Sequence, residues 1–368
     1  MDHTEFRCGN AKPFLAERVP GTMVADPQHE ESQSGHLPDP EAGGPQPWLV
    51  VLHGATASGK TSLAVRLAER FSGQIVSCDS VAVYRELEIG TAKPSSEERA
   101  RIPHHMLDVV SPDQPYTAGD YAREARSSLG TIVAGNSLPI VAGGTGLYLR
   151  ALLDGLFPGP RRFESLRVRL RQLEKERGGS YLARILQRID PISAARIHPN
   201  DVPKLIRAIE VTLAMRQPMS TAWQVGRDPL RGFRILRLGL NPPRTELYAR
   251  INQRAAAMFS NGLVEETEQL LARYGANCRP LASLGYKQAA QLLRGDLSLA
   301  GAIAGTQQGH RHYAKRQTTW FRREPDVYWL NGFGDDAAIV EEAVLQVEKQ
   351  LCCRHKVDDG SDHCPPAE

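Results

Sequence analysis

The stretch that most constrains this chain is GATASGKT, residues 54 to 61. It follows the apolar run WLVVLHG and precedes KTSLAVRLAERF, in which Leu63, Leu67 and Phe71 recur at steps of four. That pattern predicts a buried strand, a tight loop and an amphipathic helix in immediate succession. G-x-x-x-x-G-K-[ST] in this setting places consecutive backbone N–H groups and a helix N-terminus around phosphate oxygens. It adds a lysine charge and offers a hydroxyl to Mg²⁺. Gly54, Gly59, Lys60 and Thr61 stand at the required positions.

The surrounding sequence continues the alternation. GQIVSCDS reads as a second buried strand, and SLPIVAGGTGLYLRALLDG as a third strand, a glycine-rich turn and a helix. Alternating elements of this kind predict an α/β fold with a parallel sheet flanked by helices. Residues 157–232 turn helical and charged, as in RRFESLRVRLRQLEKERG and DVPKLIRAIEVTLAMR, which predicts a helical insertion between a first core segment at 47–156 and a second at 233–350. FRILRLGLN returns the chain to the sheet, and long helices are expected over 244–322. Residues 1–46 and 351–368 mix Pro, Gly, Ser and charged residues without hydrophobic periodicity and are expected to be disordered extensions. The Cys and His residues of the second fit no four-ligand zinc spacing. No apolar run is long enough to span a bilayer and no signal peptide opens the chain, so a cytoplasmic location without membrane association is expected. A net charge of +3 is too small for a generally basic surface, so any nucleic-acid contact must come from local clusters.

Several residues carry candidate chemistry. Asp79 follows the second strand, at the edge where open α/β sheets bind ligands, and suits either a Mg²⁺-holding acid or a base that receives a substrate proton. GGTG, residues 143–146, brings Thr145 and further N–H groups to the same edge. DVPKLIRAIEV begins a helix capped by Asn200 or Asp201, with Leu205, Ile206 and Ile209 facing a core and Lys204, Arg207 and Glu210 along one flank. In GHRHYAKRQTTWFRRE, Arg311, Lys315 and Arg322 share one helical face, Tyr313 and Trp320 lie roughly opposite, and no acidic residue occurs from Arg311 to Arg323. Such a face suits a phosphate backbone. The adjacent His104 and His105 diverge in direction, which argues against a shared metal, and the absence of N-K-x-D argues against a GTPase switch.

Taken in order, GATASGKT, CDSVAVYRELEIGTAKP, IPHHMLD, AGGTGLYLRALLDG, IHPNDVPKLIRAIEV, SLGYKQ and AKRQTTWFRR resemble the tRNA dimethylallyltransferases, also called tRNA isopentenyltransferases or IPP transferases. The resemblance runs from about residue 48 to 323. It implies a P-loop kinase-like sheet with a helical insertion. It also implies transfer of a dimethylallyl group from dimethylallyl diphosphate to the exocyclic amine of adenosine 37, just 3′ of the anticodon, in tRNAs reading codons that begin with U. Mg²⁺ is the implied cofactor, bound by Thr61, and a monomer acting on the tRNA anticodon stem-loop is expected.

Carried over position by position, Asp79 matches the general base and Thr145 a residue beside diphosphate and tRNA. Arg167 matches an insertion arginine that reaches the leaving group. Gly54, Ala55, Thr56, Ala57, Ser58, Gly59, Lys60 and Thr61 match the diphosphate cradle. Asp79, Ser80, Val81 and Ala82, with Thr145 and Arg167, match the tRNA-contacting set around the acceptor. Pro203, Lys204, Leu205, Ile206 and Arg207 match a further tRNA-contacting segment, as do Ser283, Leu284, Gly285 and Tyr286. So do Lys315, Arg316, Gln317, Thr318, Thr319, Trp320, Phe321 and Arg322. Two departures stand out: Ala55 occupies the place of the family's loop proline, and Ala82 that of its glutamine in D-S-x-Q. Rival readings are an adenylate-type isopentenyltransferase, a small-molecule kinase and a nucleotide-regulated RNA-binding protein.

Overall fold

The structure, a computed structural model, describes Leu37 and residues 45–157, 159–160, 162–178 and 180–352. The strands are β1 (Trp48–Gly54), β2 (Gly73–Cys78), β3 (His104–His105), β4 (Leu138–Gly143), β5 (Arg234–Leu240) and β6 (Val327–Leu330). All pair in parallel in the order β3-β2-β4-β1-β5-β6, with β1 registered against β4 through Val50–Ile140 and against β5 through Val50–Leu236. Every residue of β1 is buried, as a central parallel strand covered on both faces requires.

The two faces bury alternate residues. Leu49, Val51, Val76 and Val141 enter one core, and Val50, Leu52, Ile75 and Ile140 the other. Helix α1 (Lys60–Phe71) covers the second face through Leu63 and Leu67. On the first face lie α3 (Ala118–Ala134) and α4 (Gly146–Leu153), while α2 (Ser96–Arg101) precedes β3. After the insertion come α10 (Arg244–Ser260), α11 (Leu263–Tyr274), α12 (Tyr286–Leu293) and α13 (Leu299–Phe321), and they add Met258, Leu263, Tyr286 and Phe321 to the first core. Helix α14 (Ala337–Cys352) closes the second face with the stripe Ile339, Ala343 and Val347.

Between β4 and β5 the chain forms α5 (Glu164–Arg177), α6 (Tyr181–Ile189), α7 (Pro191–Arg196), α8 (Val202–Met215) and α9 (Met219–Ala222), which bury a cluster of their own around Leu182, Leu186, Leu205 and Ile209. Asp190, fully buried, accepts from the backbone N–H and hydroxyl of both Ser193 and Ser220 and so ties α7 to α9.

Most of the expected N-terminal extension and of the tail beyond Cys352 lies outside the described residues. α14 runs two residues past the expected start of that tail, because its apolar stripe continues to the end of the core. No described helix is long and apolar enough to cross a membrane.

Candidate active site

The carboxyl ends of β1, β2 and β4 deliver the phosphate loop, Asp79 and the GGTG turn to one cleft of ≈ 480 Å³. The loop ends at Gly59, whose φ of +88° suits glycine, and a Cβ there would lie 2.7 Å from the Gly334 nitrogen. Gly334 in turn donates to the Ser58 carbonyl at 2.9 Å, so the C-terminal part of the chain braces the loop. α1 then starts at Lys60 with no acidic side chain in its first turn, leaving its N–H dipoles open to an anion. Lys60 Nζ donates to the loop's own Ala55 carbonyl at 2.6 Å. Burial, reinforced by nearby Arg254, brings its pKa down to about 8 against the opposing pull of Asp79 and Cys78. Lys60 still carries its charge at neutral pH, and an anion entering the cleft would raise the pKa again.

Asp79 is oriented by its own backbone. Its Oδ1 accepts from the N–H groups of Val81 at 2.8 Å and Ala82 at 3.2 Å, and among the described residues Oδ2 takes no hydrogen bond. Ala82, in the place of the family's glutamine, is buried and contributes this N–H. Thr145 joins the two strand ends: its N–H donates to the Cys78 carbonyl at 3.1 Å, and its Oγ1 accepts from Ser80 N–H at 3.0 Å.

Two cations of α10 face the same cleft, and sequence reasoning missed both. Arg250 is bidentate to Asp335 at 2.7 and 2.8 Å and stacks 3.6 Å from the centre of the Phe333 ring. Arg254 has no carboxylate partner among the described residues; its Nη2 reaches the Thr91 carbonyl at 3.4 Å and its buried Nε is unpaired. Burial lowers its pKa, partly offset by Asp79. An i, i+4 pair of arginines was the available signal, but charged residues so spaced usually face solvent. Lys93 of GTAKP also borders the cleft. It is neutralised by Asp108 at 2.5 Å and Glu88 at 2.8 Å, and Arg99 bridges the same two carboxylates.

Several expected contact residues prove to be interior. Gln317, buried, donates to the Gly144 carbonyl at 2.8 Å and accepts from Thr56 N–H at 2.8 Å, so its amide ties the two anion-facing loops together. Phe321, Leu205, Ile206 and Tyr286 are 2 % exposed or less, and their side chains serve cores rather than a tRNA surface. Trp320 packs against Gly146 and stacks with Arg150 at 4.3 Å. Arg311 leaves the expected cationic face to bond Asn252 at 2.5 Å, whereas Lys315, Arg316, Thr319 and Arg322 remain exposed.

Arg167 is bidentate to Glu210 at 2.7 and 2.8 Å and is not among the residues that line the cleft. Glu210, expected on a charged flank, is fully buried; it also binds Arg207 at 2.7 Å and Phe163 N–H at 2.8 Å. Burial disfavours its charge, but the hydrogen bonds from Arg167, Arg207 and Phe163 outweigh that and lower its pKa. From the tRNA-matching helix start, Lys204 remains exposed and Pro203 lies in the first turn, capped by Asp201.

Thr61 is exposed on the first turn of α1 and lines the cleft with Asp79. A hydroxyl and a carboxylate are hard oxygen donors of the kind Mg²⁺ takes, and this ion keeps several waters rather than needing a protein cage. None of the described residues form a cluster of three or more His, Cys, Asp or Glu able to hold a metal. The donor set therefore fits a cation carried largely by phosphate oxygens.

Comparison with known proteins decides the family. The IPP transferase family model matches residues 82–324, and the isopentenyl transferase model matches 47–111. The tRNA dimethylallyltransferase of Koribacter versatilis is 66 % identical over 81 % of this chain and 97 % of its own length. This chain belongs to the tRNA dimethylallyltransferase family. The Solibacter usitatus tRNA dimethylallyltransferase is 54 % identical over 82 % of this chain and 99 % of its own. Among solved structures, the tRNA isopentenylpyrophosphate transferase of Bacillus halodurans is similar with a TM-score of 0.62 and 34 % identity, covering 84 % of this chain and 99 % of its own. The sheet of this dimethylallyltransferase family member thus has the expected P-loop architecture.

Proposed function

We propose that this protein transfers the dimethylallyl group of dimethylallyl diphosphate to the exocyclic amine of adenosine 37 in tRNAs reading codons that begin with U. The observation that carries the reading is the pairing within one cleft of a carboxylate with one oxygen fixed and one available, Asp79, and two cations, Lys60 and Arg254, that have no carboxylate partner among the described residues. The adenine amine is a weak nucleophile because its lone pair is delocalised into the ring. It must be held in line with the allylic carbon while negative charge develops on the departing diphosphate. The N–C bond forms as the C–O bond breaks, the electron pair leaving on the diphosphate oxygen. The amine proton passes to Asp79 Oδ2, and Lys60, Arg254, the loop N–H groups and the α1 N-terminus receive the leaving group. Mg²⁺, held by Thr61 and the diphosphate, would supply further charge there. Extruding a base is inexpensive from an anticodon loop, where adenosine 37 is largely unpaired.

The test incubates the protein with Mg²⁺, labelled dimethylallyl diphosphate and unmodified tRNA, followed by digestion to nucleosides. Label in N6-dimethylallyladenosine is expected. Transfer to AMP but not tRNA would select the adenylate-type rival, and ATP consumption with a small hydroxyl acceptor a kinase. Asp79→Ala should reduce turnover by roughly 10²-fold or more, the scale of a general base, while leaving tRNA affinity within about threefold. Near-normal turnover would remove Asp79 from proton transfer.

A further inference from the structure

A second cationic site lies where the helical insertion meets the core. Arg279, in the short 3-10 turn Arg279–Ala282 of the core, forms an ion pair with Glu164 at the start of α5. Glu164 is also shared with Arg171 at 3.9 Å. Two residues before Glu164, Arg162 is exposed, and no ion pair or hydrogen bond to it exists among the described residues. Its neighbours are anchored: Arg207 Nη2 holds the Pro160 carbonyl at 3.0 Å, and Glu210 holds Phe163 N–H at 2.8 Å.

The two carboxylates in this cluster are therefore committed, Glu164 to Arg279 and Arg171, and Glu210 to Arg167 and Arg207. Partial burial, and then the positive charges of Arg167, Arg279 and Arg207, push the pKa of Arg162 down, with Glu210 pulling the other way. Like charges held this close are relieved by an anion with several acceptor oxygens. The position says which anion. Cys278, next to Arg279, donates to the Pro112 carbonyl at 3.3 Å, and Val110, two residues before Pro112, pairs with Tyr84, which closes the turn that begins at Asp79. The cluster thus stands beside the segment that carries the proposed base.

We infer that Arg162 and Arg279, with Arg207 beside them, form a binding site for a backbone phosphate of the RNA strand that presents the acceptor base. This rests on the tRNA reading above. Because Arg162 sits on the insertion and Arg279 on the core, one phosphate held by both would also pin the insertion over the bound RNA.

The experiment measures binding of unmodified tRNA to the full chain across a salt series, for the unaltered protein, Arg162→Gln, Arg279→Gln and the double variant, with Arg162→Lys as the charge-retaining control. Each lost contact should lower the slope of log K against log salt by about 0.7 to 0.9. The double variant should bind tRNA about tenfold or more weakly near physiological salt, while the KM for dimethylallyl diphosphate and turnover at saturating tRNA stay within about twofold. Arg162→Lys should recover the slope, which a merely structural role would not produce. Arg162 is the cleaner probe, since removing Arg279 also frees Glu164. An unchanged slope in the double variant overturns the inference while leaving the tRNA reading intact. Loss of turnover at saturating tRNA also overturns it, by placing these arginines in the chemistry. Failure of the unaltered protein to bind tRNA overturns the reading on which the site depends.

Discussion

A single amide holds the two anion-facing loops in register. Gln317 gives its Nε2–H to Gly144, whose carbonyl also accepts a longer 3.4 Å bond from the Tyr313 hydroxyl, and takes Thr56 N–H on Oε1. Leaving such buried groups unpaired costs about 1 to 3 kcal/mol each. Gln317→Ala should lower kcat/KM for dimethylallyl diphosphate about tenfold or more, measured by steady-state kinetics at saturating tRNA. Gln317→Glu should not rescue it, because a carboxylate cannot donate to Gly144 and adds negative charge beside the loop. At this scale the motif residues were legible: Lys60, Asp79 and Thr145 sit where their spacing put them. The role of Gln317 was not, because a polar residue amid RHYAKRQTTWFRR looks like surface until the helix is docked and that side is found to be buried. Arg254 escaped for the converse reason, a charge on a helix whose exposure the sequence cannot report.

Helices α11 and α12 explain why SLGYKQ sits among the motifs. Tyr286 is fully buried; its hydroxyl donates to Glu266 at 2.5 Å and accepts from Gly90 N–H at 3.2 Å. Glu266 also accepts from the N–H groups of Glu88 and Ile89. A Cβ on Gly90 would lie 2.3 Å from the tyrosine ring, so the ring fills the space glycine leaves. The pair therefore clamps the segment that runs on through Thr91, Ala92 and Lys93 along the cleft wall. Gly90→Ala should destabilise the protein by about 1 to 3 kcal/mol through overpacking. Tyr286→Phe, which keeps the ring, should spare most of the stability yet lower kcat/KM. Thermal melts and kinetics together separate the two, and equal losses of activity and stability in Tyr286→Phe would assign the hydroxyl to folding alone.

Element by element, the long periodic segments were readable and the edges were not. β3 and β6 have two and four residues, too few to show alternation, and they exist because β2 and β5 offer open edges to pair with.

For the molecule as a whole, buried histidines set a pH limit on stability. His53 is fully buried between Phe321, stacked at 4.7 Å, and Trp329, with both ring nitrogens unpaired. Burial, aided by Arg237 and Lys60, lowers its pKa from 6.5 to about 4. Burial and Arg254 bring His310 to about 4 as well. Between pH 6.5 and 4 the unfolded chain binds protons that the folded chain refuses, so acidification favours unfolding, and above about 6.5 the effect vanishes. Each histidine can contribute on the order of 3 kcal/mol across that window. The melting temperature should therefore fall as pH drops from 6.5 to 4, and His53→Leu should flatten the fall. An identical pH profile in that variant would mean that His53 takes up its proton as readily in the folded chain as in the unfolded one.

What this sequence determined unaided was whatever depends on neighbours along the chain. The loop spacing, the strand and helix periods and the order of the motifs specified a parallel sheet with a phosphate cradle and a carboxylate at its carboxyl edge. Only the tertiary structure decided which charges are free. Lys93, Arg167 and Arg250 are neutralised by carboxylates 15, 43 and 85 positions away, while Lys60, Arg162 and Arg254 have none among the described residues. Ion pairing and burial are set by distance in space, and that distance is fixed only when the helices have packed.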